Sequence, residues 1–160
     1  ALPTETVYGL AADADNEAAV TATFEAKGRP KDHPLIVHVA SEAIDAWAED
    51  VPESARVLAR AYWPGPLTLV LKKKPRCGLF VTGGQDTVAL RCPSHPWAHA
   101  LLKAFAGPTM KGLTALVQHV RSDQSVVRGA RARGPRVKPE GKLDMILDGG
   151  PCEFGIESTM

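Results

Sequence analysis

Four short apolar runs, rich in β-branched residues and bounded by turn residues, read as strands. They are Pro34-Leu35-Ile36-Val37-His38-Val39-Ala40, Leu67-Thr68-Leu69-Val70-Leu71, Thr87-Val88-Ala89-Leu90-Arg91 and Met145-Ile146-Leu147. Their near-continuous apolar character predicts strands covered on both faces, as in parallel or mixed sheets. Helical periodicity fills the gaps. Asn16 or Asp15 caps a helix whose Ala19, Val20, Thr23 and Phe24 share one face and which ends near Gly28. Ser41 begins a second helix, with Ile44 and Trp47 inward, and Pro52 opens a third with Ala55, Leu58, Ala59 and Tyr62 on one stripe. A fourth runs from His95 or Pro96 through Leu101, Leu102 and Phe105 to Gly107. Strands interleaved with helices predict a single α/β domain.

From Thr109 to Pro139 this grammar stops. Leu113 to Val120 reads as a short helix, while Arg and Gly alternate without an apolar period from Arg128 to Arg136, so the basic segment 109–142 reads mainly as loop or disorder. Ordered patterning resumes at Leu143. Charge marks the same stretch. The chain carries a formal +1, yet Lys103 to Lys142 holds nine Lys or Arg against two Asp or Glu, giving +7 there and −6 elsewhere. Such a stretch either tracks phosphate or lies solvated.

A length of 160 residues fits one domain, and 44% hydrophobic with 23% charged residues is ordinary for a globular one. No apolar run approaches the roughly 20 residues that span a bilayer, and no signal-peptide pattern opens the chain. Because the sequence starts without Met and stops at Thr159-Met160, we expect one domain over 1–160, truncated at both ends. Cys77, Cys92 and Cys152 are odd in number and lack a C-x-x-C pair, which favours reduced, cytoplasmic thiols over disulfides or zinc. No metal site is expected.

Several clusters could carry chemistry. In Lys27-Gly28-Arg29-Pro30-x-x-His33-Pro34, a compact cation and a planar guanidinium flank a flexible glycine and can hold a polyphosphate between them. The same pair also suits a helix C-terminus, where cations offset the macrodipole. Pro3-Thr4-Glu5-Thr6-Val7-Tyr8-Gly9-Leu10 forms a polar lip of two hydroxyls around one carboxylate. Gly83-Gly84-Gln85-Asp86-Thr87-Val88-Ala89-Leu90-Arg91 pairs a glycine turn with a strand ending in Arg91, without the spacing of a P-loop or a dinucleotide fingerprint. His38 interrupts an apolar strand, where a core histidine competes with a functional one. Gly155-Ile156-Glu157-Ser158-Thr159 sets two hydroxyls and a carboxylate after the turn Asp148-Gly149-Gly150-Pro151.

In order, P-T-E-T-V-Y-G-L, A-K-G-R-P, P-L-I-V-H-V, W-P-G-P-L-T-L-V-L, D-T-V-A-L-R-C-P and I-L-D-G-G-P-C…G-I-E-S-T resemble the YrdC-like family of threonylcarbamoyl-AMP synthases. The likeness covers about Leu2 to Gly107 and Leu143 to Thr159. It implies a single YrdC-like α/β domain, a twisted mixed sheet with flanking helices and a concave basic face. It implies condensation of L-threonine, bicarbonate and ATP with release of pyrophosphate. Any Mg²⁺ would arrive on the nucleotide, and no organic cofactor is expected. The product would feed tRNA threonylcarbamoyladenosine formation through a separate transferase complex, in the cytoplasm and without a membrane. By motif, Lys27, Arg29, His33 and Thr87 would bind ATP, with Lys27 and Arg29 at the reacting phosphates. Thr6, His38, Arg91 and Ser158 would surround L-threonine, Arg91 holding its carboxylate.

The sequence departs from the family in one place. A Pro-Ser-Ala-Asn loop and a Ser-Pro-Thr segment should follow Gly107-Pro108, yet Thr109-Met110-Lys111-Gly112 follows, and Asn16 is the only asparagine in the chain. A divergent insertion or an out-of-frame stretch produces such a pattern. Losing hydrogen bonds worth about 1 kcal/mol each is expected to weaken ATP binding and turnover. Three alternatives are a carbamoyl-AMP-forming relative, a tRNA- or double-stranded-RNA-binding module without catalysis, and a nonfunctional gene remnant.

Overall fold

The computed structural model describes residues 1–107, 110–116, 145, 147–150, 152 and 153. Its elements run β1 (Leu10–Asp13), α1 (Glu17–Lys27), β2 (Ile36–His38), a 3₁₀ turn (Ser41–Ala43), α2 (Ile44–Trp47), α3 (Glu53–Tyr62), β3 (Thr68–Lys72), α4 (Leu79–Thr82), β4 (Thr87–Arg91), α5 (Pro96–Ala106) and β5 (Leu113–Leu116). The expected α/β architecture with a mixed sheet is present. Five strands lie in the order β1-β5-β2-β4-β3, with β2 and β4 parallel and the other neighbours antiparallel.

Local chemistry explains the helix ends. Asn16 Oδ1 accepts from the Ala19 amide at 3.1 Å, capping α1. Gly28 takes a left-handed conformation at φ 60°, and the Arg29 amide folds back onto the Phe24 carbonyl at 3.0 Å. That closure fixes Lys27 and Arg29 on either side of the turn.

The sheet has one packed face and one open face. Val37, Leu69, Leu71, Val88 and Leu90 are buried beside Val20, Phe24 and Trp47 in one core. On the opposite face Ile36, Ala89 and Thr87 are only half-buried, and Val70 is 54% exposed. The alternation of β3 follows from its period of two: Leu69 and Leu71 inward, Val70 and Lys72 outward.

Three expectations need correction. The segment read as a helix over Leu113 to Val120 enters the middle of the sheet instead: Leu113–Leu116 pairs with both β1 and β2, and 117–120 lie outside the described residues. The local pattern was too short to separate the two periods, and a slot between two unfilled strand edges decided it. A side chain at Gly112, just before β5, would press on Val37 and Trp47, so glycine permits the close entry. Met145 and Leu147 are not in a strand, and Ile146 lies outside the described residues. The Leu147 amide bonds only the first residue's carbonyl, Ala1 O, at 3.0 Å. In α3, Ala55 is buried, but Leu58 and Tyr62 are 41% and 59% exposed, so the apolar stripe is only partly covered. β1 and α4 were not anticipated from the sequence. Among the described residues no helix is long and apolar enough to cross a membrane.

Candidate functional site

Strand register assembles the site. Arg91, the last residue of β4, lies beside His38 on the parallel β2 and opposite Thr68 on the antiparallel β3. Cross-strand partners project from the same face, so these three share the open face at one end of the sheet. Thr87 stands on that face too, four residues earlier in β4 and about 13 Å away at strand rise.

The Arg91 end is closed and dry. Arg91 and His38 have no exposed surface, Thr6 has 1% and Glu5 2%. Arg91 Nη2 donates to Glu5 Oε1 at 2.6 Å and to Thr6 Oγ1 at 3.0 Å, while Nε reaches the Gly65 carbonyl at 3.3 Å. The second carboxylate oxygen, Glu5 Oε2, accepts from the Ser94 amide at 3.1 Å. Thr4 Oγ1 donates to the Val7 carbonyl at 2.6 Å and lies 2.9 Å from Thr6 Oγ1, folding the Thr-Glu-Thr segment into a compact turn. Gly65 belongs to the Trp63-Pro64-Gly65-Pro66 turn, and its amide is tied to the Cys92 carbonyl at 2.7 Å.

Within this cluster, capacity is left over. Arg91 Nη1 and both ring nitrogens of His38 are buried without a hydrogen-bond partner among the described residues. Buried groups of this kind are costly unless something binds them. Burial, reinforced by the Arg91 charge, pushes the His38 imidazole down to about 3, so it is neutral at physiological pH.

The remaining predicted residues are less buried. Lys27 is half-buried, and burial together with the Arg29 charge lowers its pKa, a sign that the two cations stand close. His33 is exposed, with Nδ1 3.6 Å from Asp32 Oδ1. Thr87 Oγ1 is 3.5 Å from Gln85 Oε1. Lys72, Thr87's cross-strand partner, is paired with Glu49 and Asp50 at 2.9 and 3.1 Å. Both cations of the face itself, Lys72 and Arg91, are thus matched by carboxylates.

The structure therefore brings Thr6, His38 and Arg91 together and sets Thr87 at the far end of the same strand. Ser158 lies outside the described residues, as does 117–142, the larger part of the basic stretch on which an RNA-binding reading rests. Glu5, noted in the sequence only as the carboxylate of the polar lip, and Ser94, not singled out at all, join the site. One signal pointed to Glu5: an arginine closing an apolar strand needs a buried counter-charge, and Glu5 sat in a motif already noted as polar. Tyr8 is another. Its hydroxyl accepts from the Gly149 amide at 3.0 Å and donates to the Gly150 carbonyl at 2.8 Å, holding the Asp148-Gly149-Gly150 turn against the same segment.

Similarity to known proteins bears directly on this arrangement. A family model named Sua5_yciO_yrdC, described as "Telomere recombination", matches residues 1–160. The chain belongs to the Sua5/YciO/YrdC family. Threonylcarbamoyl-AMP synthase of Pyrococcus abyssi is 43% identical over 169 residues, and that of Bacillus subtilis is 41% identical over 170. All of this chain is covered in both alignments, but it spans only 45% of each relative's length. The crystal structure of Pyrococcus abyssi Sua5 complexed with L-threonine superposes with a TM-score of 0.80 at 42% identity, covering 98% of this chain and 44% of that one. The Sua5/YciO/YrdC fold thus accounts for the sheet order, including the β5 strand that the sequence pattern hid.

Proposed function

We propose that this domain condenses L-threonine, bicarbonate and ATP into threonylcarbamoyl-AMP, releasing pyrophosphate, for tRNA modification. The observation that carries the reading is the pairing of His38 with Arg91 across parallel strands, with Thr6 bonded to Arg91 and three buried nitrogens of these two residues left unpartnered among the described residues. A small polar ligand satisfies exactly that need. The relationship to a protein solved with L-threonine supports threonine as that ligand.

On this reading Thr6, His38, Arg91 and Ser158 surround threonine, and Lys27, Arg29, His33 and Thr87 take ATP, with Mg²⁺ travelling on the nucleotide. The spacing of about 13 Å between Arg91 and Thr87 suits an extended product with an amino acid at one end and a nucleotide at the other. A carboxylate approaching the α-phosphorus meets the repulsion of a polyanion, which fixed cations at Lys27 and Arg29 offset. Burial at the Arg91 end protects a water-labile carbamate. No side-chain nucleophile is needed, since positioning supplies the rate.

The missing Pro-Ser-Ala-Asn loop belongs to this reading as an impairment of the nucleotide end. Calorimetry with L-threonine and a pyrophosphate-release assay separate the two ends. We expect threonine binding, and slow release that requires ATP, bicarbonate and L-threonine together. Absence of threonine binding would sink the proposal; turnover equal to that of the Bacillus subtilis enzyme would remove only the impairment.

A further inference from the structure

Glu5 is held more tightly than a bystander needs to be. One oxygen takes Arg91 Nη2 at 2.6 Å and the other takes the Ser94 amide at 3.1 Å, and the whole residue is 2% exposed. An ionised carboxylate has about four acceptor positions, so these two bonds leave room for another donor. Arg91 is in the complementary state, with Nη2 committed and Nη1 unpartnered. A ligand thus meets one spare cationic N–H beside one spare anionic lone pair, both fixed and both buried.

The charges add up to a definite preference. Arg91 and Glu5 cancel, and burial keeps His38 neutral, so among the described residues the cluster carries no net charge. Bringing a simple carboxylate beside Arg91 would bury one unmatched negative charge, and an amine lacking a carboxylate would bury one unmatched positive charge. Either costs several kcal/mol before any hydrogen bond is counted. A zwitterion adds nothing to the balance, and its two charges find Nη1 and Glu5. Without Glu5, Arg91 would accept any small carboxylate.

We propose that Glu5 is a specificity-determining residue of this subsite: by cancelling the Arg91 charge and facing the ligand's ammonium group, it makes the pocket select α-amino acids over carboxylates and amines of the same shape. This rests on the threonine reading above and adds to it the group that rejects uncharged-amine analogues. A purely structural counter-ion would support binding of all ligands alike, so discrimination, not affinity, is the readout.

The test is calorimetric titration of the 160-residue chain with three ligands. They are L-threonine, 2,3-dihydroxybutanoate, in which a hydroxyl replaces the ammonium, and L-threoninol, in which an alcohol replaces the carboxylate. The unaltered protein should prefer L-threonine over each analogue by roughly tenfold or more. In Glu5→Gln, preference over dihydroxybutanoate should fall to within about threefold, with the analogue binding no worse than before. Glu5→Asp, which keeps the charge, should retain the preference even where both affinities drop. Proportional loss of both ligands in Glu5→Gln overturns the proposal, as does an unaltered protein that treats threonine and dihydroxybutanoate alike. Should Glu5→Gln fail to fold, the ratio in Glu5→Asp decides: a preference collapsed to threefold or less in that charge-retaining variant rejects it. Binding of none of the three by the unaltered protein rejects the threonine reading itself.

Discussion

The two ends of the open sheet face are built on opposite principles. At the Arg91 end, Glu5, Thr6, His38 and Arg91 are all sealed from solvent, Arg91 is bonded to both Glu5 and Thr6, and the Arg91 and Glu5 charges match. Away from that end, Thr87, Lys27 and Arg29 are half-buried and His33 is exposed, and Lys27 and Arg29 stand close enough to feel each other's charge. A small amino acid offers few contacts, so its recognition has to be prepaid in a rigid, desolvated cluster. On the proposed reading, a triphosphate brings its own charge and water, so two partly solvated cations would meet it without being buried first. The comparison teaches that a site tied to stability and one nearly independent of it can be tested apart.

The sharpest way to break this contrast is Arg91→Gln. Removing one partner of a buried pair leaves Glu5 as an unmatched anion, which typically costs about 3–5 kcal/mol. Urea denaturation should show that loss together with loss of threonine binding. A variant as stable as the parent would mean that the pair is not buried in solution. By the same logic, Lys27→Ala with Arg29→Ala should leave stability within about 0.5 kcal/mol, since neither residue is in the core. Pyrophosphate release should nevertheless fall by about 10²–10³, the scale seen when preorganised charge is removed from a reacting phosphate or oxyanion. Threonine affinity measured without ATP should not move. If it falls with turnover, the two ends are one site and the contrast fails.

How much of this was legible in the sequence divides along the same line. Asn16, Gly28 and Pro96 announced their helix boundaries through side-chain caps, a left-handed turn and a fixed φ, all local effects. The run Thr87–Arg91 was read with the bounds the structure gives, because β-branched residues between a glycine turn and a proline leave little choice. Leu113–Leu116 was not readable, since its conformation is set by neighbours far away in sequence: β1 on one side and β2 on the other. The fate of Arg91 was half readable. Its position at the end of an apolar strand marked it as a carboxylate binder, but nothing local showed its burial or linked it to Glu5, 86 residues earlier. Leu58 and Tyr62 show the reverse limit, a regular stripe whose outer half nothing among the described residues covers.

The smallest effect, and the one that isolates the closed end, is the response of stability to acid. His38 is wholly buried and titrates at about 3 in the folded chain, against about 6.5 when unfolded, because burial and then the adjacent Arg91 charge oppose protonation. Between those values the unfolded chain binds a proton that the folded chain refuses, so this group's contribution to stability falls as pH is lowered through the window and is level above it. The slope approaches about 1.4 kcal/mol per pH unit once the pH is well below 6.5, and is gentler near it. The groups around the ring do not reverse the sign: Arg91 lies on one side with Glu5 beyond it, and the apolar Leu113 on the other. Urea denaturation of the parent and of His38→Asn at pH 7, 6 and 5 should therefore give lines that diverge toward acid, the variant losing less. Saturating L-threonine should flatten the parent's line, because a bound carboxylate beside His38 makes its protonation easier. Parallel lines would place the imidazole in contact with water and undo the view that this end of the cleft is closed before substrate arrives.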